Sequence, residues 1–564
     1  MRTSWVASAV VLGALTLSLN GQRIAPKLDN VSVPPGYFLD LLVTGLDFPT
    51  AITFSPGAAY VAESGAVPGF TPKVKTVNAQ GLVSIVLSAD QLGATQLLPP
   101  LTDITYHSGR LYITHRQAGA NGWAVGAVSR FNPSDPVGTF QTLLTNLPSS
   151  GDHHTDEIAF DTAGRAYFSL GTATNSSVVG PDNWFITGWL QMFPTFHGFP
   201  AVPLVLNGTS FRTPVPFPLD PEADDLTAPY MPFGSGPVAP GTTVPAATPA
   251  TPQEGIIAGN GAVYSFDPDV TQPASTLRLE AWGFRNPFGV GFDPFEPGVL
   301  FVANNGADIR TAMVDGQLTV VEPRPIDNDW DDLFRLNVGG AAEFFGFPDY
   351  FHDPSSGSSL PVDASLFCAS APEPPITCPS FVLDPTFRSS LTVQPAFAEF
   401  ELHSSANKFD TAVDPRFRFT GDMFVAETGA FVPSTGARQF SGYKVVRVDR
   451  ASGAVHDFVA NVGSTPQELF DPATFNKPID VKFSGELMFI VDFGVFEPGL
   501  QLQQPGSLAE WTKPPTASPN ACPGPRRCPA VTVAQGARVK LGVRAIVQDS
   551  GIVAGLKQTL SSQA

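Results

Sequence analysis

A short strand-turn-strand pattern recurs along this chain, and it limits the possible folds more than any other feature. In its clearest copy, two runs rich in β-forming residues, Ile158–Phe160 and Ala166–Leu170, flank a turn that contains Gly164. Two such runs joined by a glycine turn predict a β-hairpin. Six copies of the pattern occur, at residues 45–63, 101–115, 158–170, 288–304, 411–427 and 478–492.

Six copies of one hairpin predict a radial repeat. A single copy cannot bury both of its faces, so copies must stack around an axis, and blades of four strands need roughly 40–50 residues each. Outer strands are expected at residues 262–266 and 444–448, and the segment 38–43 is expected to pair with the last blade and close the ring. We therefore predict an all-β protein, a six-bladed β-propeller with long rim insertions, over residues 34–497.

The spacing between the hairpins is uneven, which indicates insertions. Two long Pro-rich segments, at about 175–255 and 352–393, are expected on the rims of the propeller, where they could wall or cover a pocket. Residues 498–564 form a tail that begins Pro-rich and for which no structure is predicted.

Charge and composition exclude one broad class of partner. The chain has 51 acidic and 32 basic residues, a formal net charge of −19, and no cluster of Lys and Arg. Neutralising phosphates needs such a cluster, so nucleic acid is not an expected partner. The 56 prolines and 52 glycines favour a fold with many turns, in agreement with the hairpins.

The first 21 residues resemble a secretory signal peptide. Arg2 is followed by a mostly small and apolar stretch, residues 6–19, which is short for a membrane span. A secreted or periplasmic protein is expected, with no membrane span in the mature chain, although a retained anchor is the alternative. Exported proteins tend to oxidise their cysteines, so disulfides are predicted at Cys368–Cys378 and Cys522–Cys528; the spacings do not suit zinc.

One hairpin alone is preceded by paired histidines. Asp152, His153, His154 and Asp156 lie just before its first strand, so they are delivered to one rim of the fold. A histidine can act as a general base near neutral pH. The same residues could instead be ordinary polar rim residues, and a metal site of His153, His154 and Asp156 matches no standard ligand spacing.

Three stretches together resemble the glucose/sorbosone dehydrogenase family. They are residues 152–160, residues 282–289 with Arg285-Asn286-Pro287, and residues 330–340 followed by 345–348. The family consists of exported six-bladed propellers that oxidise aldose sugars with pyrroloquinoline quinone (PQQ) and calcium. The resemblance extends over about residues 34–492.

The resemblance implies roles for individual residues. His153 would take the proton from the anomeric hydroxyl of the sugar, and Asp152 would orient its ring or hold up its pKa. Arg285 and Asn286 would contact the cofactor, and Lys477 stands where an arginine is usual in the family. Calcium would be held by backbone carbonyls at Gly306 and Ala307, oxygen ligands of the kind that calcium prefers.

Three functions stay open at this point. The first is an aldose dehydrogenase that passes electrons to a separate acceptor. The second is a propeller without cofactor that binds a sugar or a protein on one rim, because a scaffold does not fix a function. The third is a calcium-dependent lactonase or esterase, for which Glu63, Asn304 and Asp492 could converge at the ends of their strands.

Overall fold

The structure is a computed structural model of the chain, and not every residue in it is described. The described residues are 30–39, 42–43, 45–67, 69–78, 81–93, 95–213, 226–314, 317–326, 329–353, 358–362, 380–430, 441–462, 475–494 and 544–548. The predicted signal peptide and both predicted disulfides lie outside these residues. No helix in the described ranges is long and apolar enough to cross a membrane.

The described residues from 30 to 282 contain eighteen strands, most of them short. They are β1 (Val31–Ser32), β2 (Tyr37–Leu39), β3 (Pro49–Ser55), β4 (Ala58–Glu63), β5 (Lys73–Val77), β6 (Val83–Ser88), β7 (Leu98–His107), β8 (Arg110–Ala118), β9 (Ala124–Phe131), β10 (Gln141–Leu147), β11 (Thr155–Phe160), β12 (Ala166–Leu170), β13 (Leu204–Val205), β14 (Phe211–Arg212), β15 (Leu226–Thr227), β16 (Thr243–Val244), β17 (Ala262–Phe266) and β18 (Arg278–Trp282).

The second half continues in the same way. Its strands are β19 (Asn286–Phe292), β20 (Val299–Asn305), β21 (Thr311–Val314), β22 (Gln317–Val320), β23 (Asp332–Asn337), β24 (Glu343–Phe344), β25 (Tyr350–Asp353), β26 (Ser358–Pro361), β27 (Ala398–Glu399), β28 (Ala406–Thr411), β29 (Met423–Glu427), β30 (Lys444–Val448), β31 (Val455–Asn461), β32 (Pro478–Ser484), β33 (Leu487–Asp492) and β34 (Arg544–Gln548).

Helices in the described residues are short and lie outside the sheets. They are α1 (Ala89–Leu92), α2 (Pro181–Phe185), α3 (Trp189–Met192) and α4 (Pro385–Ser389). Proline stands in the first turn of α2 and α4, where no intrahelical donor is lost. In α4 the Asp384 carboxylate also caps the backbone amides of Thr386 and Phe387.

Five regular blades are found. They are β3–β6, β7–β10, β11-β12-β17-β18, β19-β20-β23-β27 and β28–β31, each a four-stranded antiparallel unit. A sixth sheet of order β2-β34-β33-β32 contains the last predicted hairpin but takes its outer strands from the two ends of the chain. The predicted all-β propeller is therefore confirmed, whereas five regular blades are found rather than six.

The six inner strands follow one another around a ring. β3 contacts β7, β7 contacts β11, β11 contacts β19, β19 contacts β28, β28 contacts β32, and β32 contacts β3. The segment expected to close the ring does join the last sheet, but β2 pairs with β34 rather than with the predicted hairpin.

Apolar packing between neighbouring sheets explains why the second strand of each hairpin is so hydrophobic. β12, β20, β29 and β33 are buried along their whole length, because sheets cover both of their faces. One of the apolar clusters joins Ile52 and Val61 of the first blade to Ile479, Phe489 and Val491 of the last sheet.

All six inner hairpins have a register shift near the start of the inner strand. Shifts of this kind redirect side chains and are common near functional sites. Here they direct polar side chains from the inner strands into contact with neighbouring blades.

Side-chain acceptors link five of the six neighbouring pairs of inner strands. The acceptor lies on one sheet, and the backbone N–H that it receives lies on the following sheet around the ring. The pairs are Thr53 with Tyr106, Asp103 with Ile158, Glu157 with Val290, Asp410 with Phe483 and Asp480 with Ile52. The carboxylates of the inner strands are thus first of all structural.

Candidate functional site

Most of the predicted site residues lie at the ends of strands in the third and fourth blades. His153 precedes β11, Arg285 precedes β19 and Asn286 begins it, and Gly306 and Ala307 follow β20. The backbone N–H of Thr172 donates to the carbonyl of Arg285 at 2.8 Å, which fixes the two loops against each other. The loops that carry His153 and Arg285 are therefore neighbours in the structure.

Hydrogen bonds define the tautomer of His153. Its Nδ1 lies 2.9 Å from the backbone carbonyl oxygen of Thr172 and 3.3 Å from the Thr172 hydroxyl. That hydroxyl donates to the Thr174 carbonyl at 2.6 Å, so both oxygens near Nδ1 can only accept. Nδ1 must carry the proton, which leaves the lone pair of the neutral ring on Nε2.

The surroundings of His153 favour this neutral form. Burial lowers the pKa of His153 well below its usual value, and the positive charges of Arg285 and Arg310 lower it further. The hydrogen bond to Thr172 opposes these effects only in part. At neutral pH the ring is an uncharged acceptor at Nε2.

Asp152 faces away from the imidazole, into the insertion that follows β12. Its carboxylate accepts from Arg310 at 2.9 Å, from the Trp189 indole at 2.7 Å, from the Thr187 hydroxyl at 2.9 Å and from the Asn183 amide at 3.1 Å. The ring of His153 is oriented by Thr172. The resemblance implied that Asp152 would orient it, and this differs from the structure. The pKa of the histidine is lowered rather than held up.

The neighbouring residues of the histidine cluster do not converge with His153. His154 points Nδ1 at the Ser149 carbonyl, 3.1 Å away, and burial lowers its pKa to about 3. Asp156 is buried, and burial raises its pKa well above the usual value, an effect that the charge of Lys408 opposes in part. The described residues contain no group of three or more His, Cys, Asp or Glu side chains placed to hold a metal ion.

Arg285 is almost completely buried and its guanidinium is occupied within the chain. Nη2 lies 3.0 Å from Oδ2 of Asp308 and 2.7 Å from Oδ1 of Asn175, and Nε lies 3.0 Å from the same amide oxygen. Nη1 reaches the Asn305 carbonyl at 3.4 Å. The positive charge beside His153 is thus paired with Asp308.

Two asparagines at the end of β20, Asn304 and Asn305, fix the position of Asn286. Oδ1 of Asn304 accepts the backbone N–H groups of Arg285 and Asn286, each at 3.1 Å. Asn305 donates to the Ala406 carbonyl, which fixes its amide, so its Oδ1 accepts from Nδ2 of Asn286 at 2.8 Å. The Asn286 side-chain oxygen is buried beside Gly171 without a hydrogen-bond partner in the described residues.

The loop predicted to bind calcium is surrounded by carboxylates. The N–H of Gly306 donates to Asp331 at 2.8 Å, and that of Ala307 donates to Asp329 at 2.6 Å. Burial raises the pKa of Asp329 to about 7 and that of Asp331 to about 6. Gly306 is packed so closely that a Cβ there would lie 2.4 Å from the Asp329 carbonyl oxygen, a backbone group.

Lys477 lies in the last sheet and is fully buried. Its backbone N–H donates to Asp492 at 2.9 Å, and its ammonium lies 5.2 Å from the centre of the Tyr443 ring. Its described contacts are therefore with the fifth blade and the last sheet, and no described contact joins it to Arg285.

The strand-end residues expected to converge in a lactonase, Glu63, Asn304 and Asp492, instead accept hydrogen bonds near the start of their own hairpins. Glu63 accepts from the N–H of Asp47, and Asp492 accepts from the N–H groups of Asn476 and Lys477, as Asn304 does in the fourth blade. Each caps the entrance of its inner strand. This arrangement is a repeated structural contact and gives no support to a shared metal site.

Sequence reasoning missed four titratable residues of the site. Arg310 joins Asp152 to Asp182 of the insertion, and Asp308 joins Arg285 to His403, whose Nδ1 lies 2.7 Å from Oδ1 of Asp308. These residues come from loops far apart in the chain. No motif joins them, so only the fold could reveal the network.

Comparison with known proteins gives distant similarities. No family model and no curated protein matches the chain. The soluble aldose sugar dehydrogenase from Escherichia coli in its apo-form is 13% identical, with a TM-score of 0.43 over 81% of this chain and 96% of that chain. A glucose dehydrogenase is 14% identical, with a TM-score of 0.42 over 81% and 97%. A putative 6-phosphogluconolactonase from Bacteroides uniformis is 9% identical, with a TM-score of 0.27 over 74% and 87%. Similarities this distant assign no activity, so function is argued from the site itself.

The oxygen atoms around Gly306 and Ala307 are of the kind that calcium prefers, but the described residues contain no group of three or more His, Cys, Asp or Glu side chains placed to hold it. PQQ carries several carboxylates and needs uncompensated cations, whereas Arg285 is paired with Asp308, and Arg310 with Asp152. As they are arranged, the site residues do not fit a multiply anionic cofactor.

Proposed function

We propose that this protein oxidises aldose sugars at the anomeric carbon, with His153 as the general base. The observation that carries the proposal is the imidazole itself, which is neutral, anchored through Nδ1–H on Thr172 and left with an acceptor at Nε2. An acceptor fixed in one tautomer beside a buried guanidinium suits removal of a proton from a sugar hydroxyl. The sugar-oxidising activity and export to the periplasm or the medium belong to the same proposal.

Each residue of the site has its own role in the first step, the removal of the proton from the sugar. The anomeric hydroxyl would donate its proton to Nε2 of His153, and Thr172 would keep the ring from turning. Arg285 and Arg310 place positive charge near the ring, which favours an alkoxide but disfavours imidazolium. The base is consequently weak, and it stays in its working form well into the acidic range.

Oxidation also needs an acceptor for hydride. In the family that the motifs resemble, PQQ bound beside calcium supplies it, and Gly306 and Ala307 would hold the calcium through their carbonyl groups. In this chain Arg285, the residue that would contact the cofactor, is already paired with Asp308.

The test is reconstitution of the protein expressed from about residue 22. The metal-stripped protein would be mixed with calcium and PQQ, and dye reduction followed over a panel of aldoses, with His153→Ala beside the wild type. Reduction that depends on sugar and falls at least 100-fold in the variant is expected, in line with the usual contribution of a general base. An equal rate in both proteins would remove His153 from the mechanism.

A second candidate is a propeller without cofactor that binds a sugar or protein on this rim. The specific observation in its favour is that both arginines near His153 are neutralised by carboxylates of the chain. Titration calorimetry with the same aldoses, without PQQ, separates the two. Heat of sugar binding together with no dye reduction after reconstitution would favour the binding function.

A further inference from the structure

The ion pair between Arg285 and Asp308 occupies the place where an anionic ligand would be recognised. Arg285 and His153 both bind Thr172, which donates its N–H to the Arg285 carbonyl at 2.8 Å and has its own carbonyl oxygen 2.9 Å from Nδ1 of His153, so the two residues share one site. Asp308 supplies the carboxylate that faces the guanidinium, 3.0 Å from Nη2. A carboxylate is the group that a guanidinium binds best, and one is already in place.

Asp308 has a second partner on its other oxygen. Oδ1 lies 2.7 Å from Nδ1 of His403, while Oδ2 faces Arg285. The Asp308 carboxylate therefore contacts two basic side chains at once, and it keeps His403 as a partner if it leaves Arg285.

The loop that carries His403 is held in an unusual conformation. His403 has φ of 60° and Ser405 has φ of 53°, both in the left-handed region that residues other than glycine enter at a cost. Backbone strain of this kind clusters at ligand-binding and switch regions. Asp308 is also the more exposed partner of the ion pair, 13% against 5% for Arg285, so a ligand arriving from solvent reaches it first.

The geometry points to Asp308 as an internal substitute for a ligand carboxylate at Arg285. A carboxylate-bearing ligand binds next to His153 only when Asp308 gives up Arg285 and keeps His403. This inference rests on the proposed function for the location of the site. Two ligands share the chemistry, a quinone cofactor with carboxylates and a sugar acid, and separate arms of the test distinguish them.

The test is a binding measurement on Asp308→Asn. Asparagine keeps the shape and an oxygen for Arg285 but removes the competing charge. Equilibrium dialysis with PQQ, read by absorbance, and in a separate arm with glucuronate, gives the dissociation constants without any turnover. We expect Asp308→Asn to bind PQQ at least tenfold more tightly than the wild type. The same gain with glucuronate, but not with PQQ, would identify the ligand as a sugar acid.

The controls separate the local charge from folding and from net charge. Asp269→Asn removes one carboxylate from an ion pair with Arg130 at 2.6 Å on the outside of the propeller, and it should bind both ligands as the wild type does. Asp308→Glu keeps the charge and should also show no gain. Asp308→Ser removes the carboxylate by another route, in case the asparagine variant does not fold.

Two results would overturn the inference. One is an unchanged affinity for both ligands in folded Asp308→Asn and Asp308→Ser. The other is submicromolar binding of PQQ by the wild type with no further gain in the variants. Failure of the proposed function looks different, because the variants would then bind the ligand more tightly while no protein reduces dye with any sugar.

Discussion

At the scale of single residues, buried histidines make this protein sensitive to acid. His115 is nearly inaccessible, with Nδ1 2.9 Å from the Arg116 carbonyl and Nε2 2.8 Å from the Ser129 hydroxyl. Burial lowers its pKa to about 4. Its neutral form is the folded form, so it stabilises the protein above pH 6.5 and this contribution is lost as the pH falls toward 4.

The first prediction compares His115→Gln with the wild type in urea unfolding at pH 7 and pH 4.5. Gln cannot take up a proton, so relative to it the wild type should lose about 2–3 kcal/mol of unfolding free energy over that interval, at about 1.4 kcal/mol per pH unit. The exposed His456→Gln is the control and should follow the wild type. A difference between wild type and His115→Gln that does not change with pH would contradict the assignment.

The sequence located single residues well where one motif carried them. His153, Arg285 and Asn286 lie together at one rim because each stands at the entrance of an inner strand, and the hairpin pattern alone places those entrances on the same side. Asp152 was assigned to the wrong partner, since a side chain's direction depends on what the insertion brings near it. Asp308 could not be found, because nothing in its own neighbourhood indicates the contact with Arg285.

At the scale of elements, the caps of the inner strands hold the site. Asn304 accepts two backbone N–H groups, from Arg285 and Asn286. We predict that Asn304→Ala lowers the unfolding free energy by about 2–5 kcal/mol, because two buried donors lose their acceptor at about 1–3 kcal/mol each. Urea denaturation measures this loss.

The matched variants make this prediction specific. Asn304→Asp should recover much of the stability, since Asp492 performs the same role in the last hairpin. Asn337→Ala, at the exposed end of β23, should change stability by less than about 0.5 kcal/mol. Equal losses in Asn304→Ala and Asn304→Asp would show that the cap is not what matters.

The close packing of the fourth blade against the fifth requires a glycine at position 289. A Cβ on Gly289 would lie 2.4 Å from the backbone oxygen of Asn407, in the neighbouring blade. We predict that Gly289→Ala destabilises the protein by about 1–3 kcal/mol or more, because the two inner strands would have to separate. Thermal unfolding compared with Gly340→Ala, whose new methyl group meets nothing within 4 Å, isolates the effect. Similar midpoints for the two variants would count against it.

Elements were easier to predict from the sequence than their connections. Each hairpin is local, with two β-forming runs and a turn, so all six were identified. The register shifts at the start of the inner strands leave no mark in a single sequence. The outer strands of the last sheet come from residues 37–39 and 544–548, about 500 residues apart, a pairing that no local pattern could indicate.

At the scale of the whole molecule, Lys408 links the fifth blade to the first and second blades. Its ammonium, on the fifth blade, donates to Thr102 O at 2.6 Å, to Asp103 Oδ1 at 2.7 Å and to Thr50 O at 3.3 Å. Both Lys408 and Asp103 are fully buried. One side chain therefore connects three blades.

The last prediction is a double-mutant cycle on Lys408 and Asp103. Lys408→Met leaves Asp103 buried without its counter-charge and should cost about 3–5 kcal/mol of unfolding free energy. Asp103→Asn keeps the acceptor for Ile158, so in the Lys408→Met background it should restore at least about 1 kcal/mol. Arg335→Met, in a surface pair with Glu296, should cost less than about 1 kcal/mol. Additive effects at Lys408 and Asp103 would show that the two residues are not coupled.

The side-chain links between the inner strands also have a consequence for how the protein is made. In four of the five contacts, the acceptor belongs to the earlier sheet and the N–H belongs to the sheet that follows it in the chain. Because synthesis begins at the N-terminus, Thr53, Asp103 and Glu157 are each made before the strands whose N–H groups they accept. Only Asp480, the last of the acceptors, has to find an amide made long before, that of Ile52. We therefore expect the contacts between the earlier blades to form in the order of synthesis, whereas the contact that joins the last sheet to the first blade can form only after Asp480 has been made.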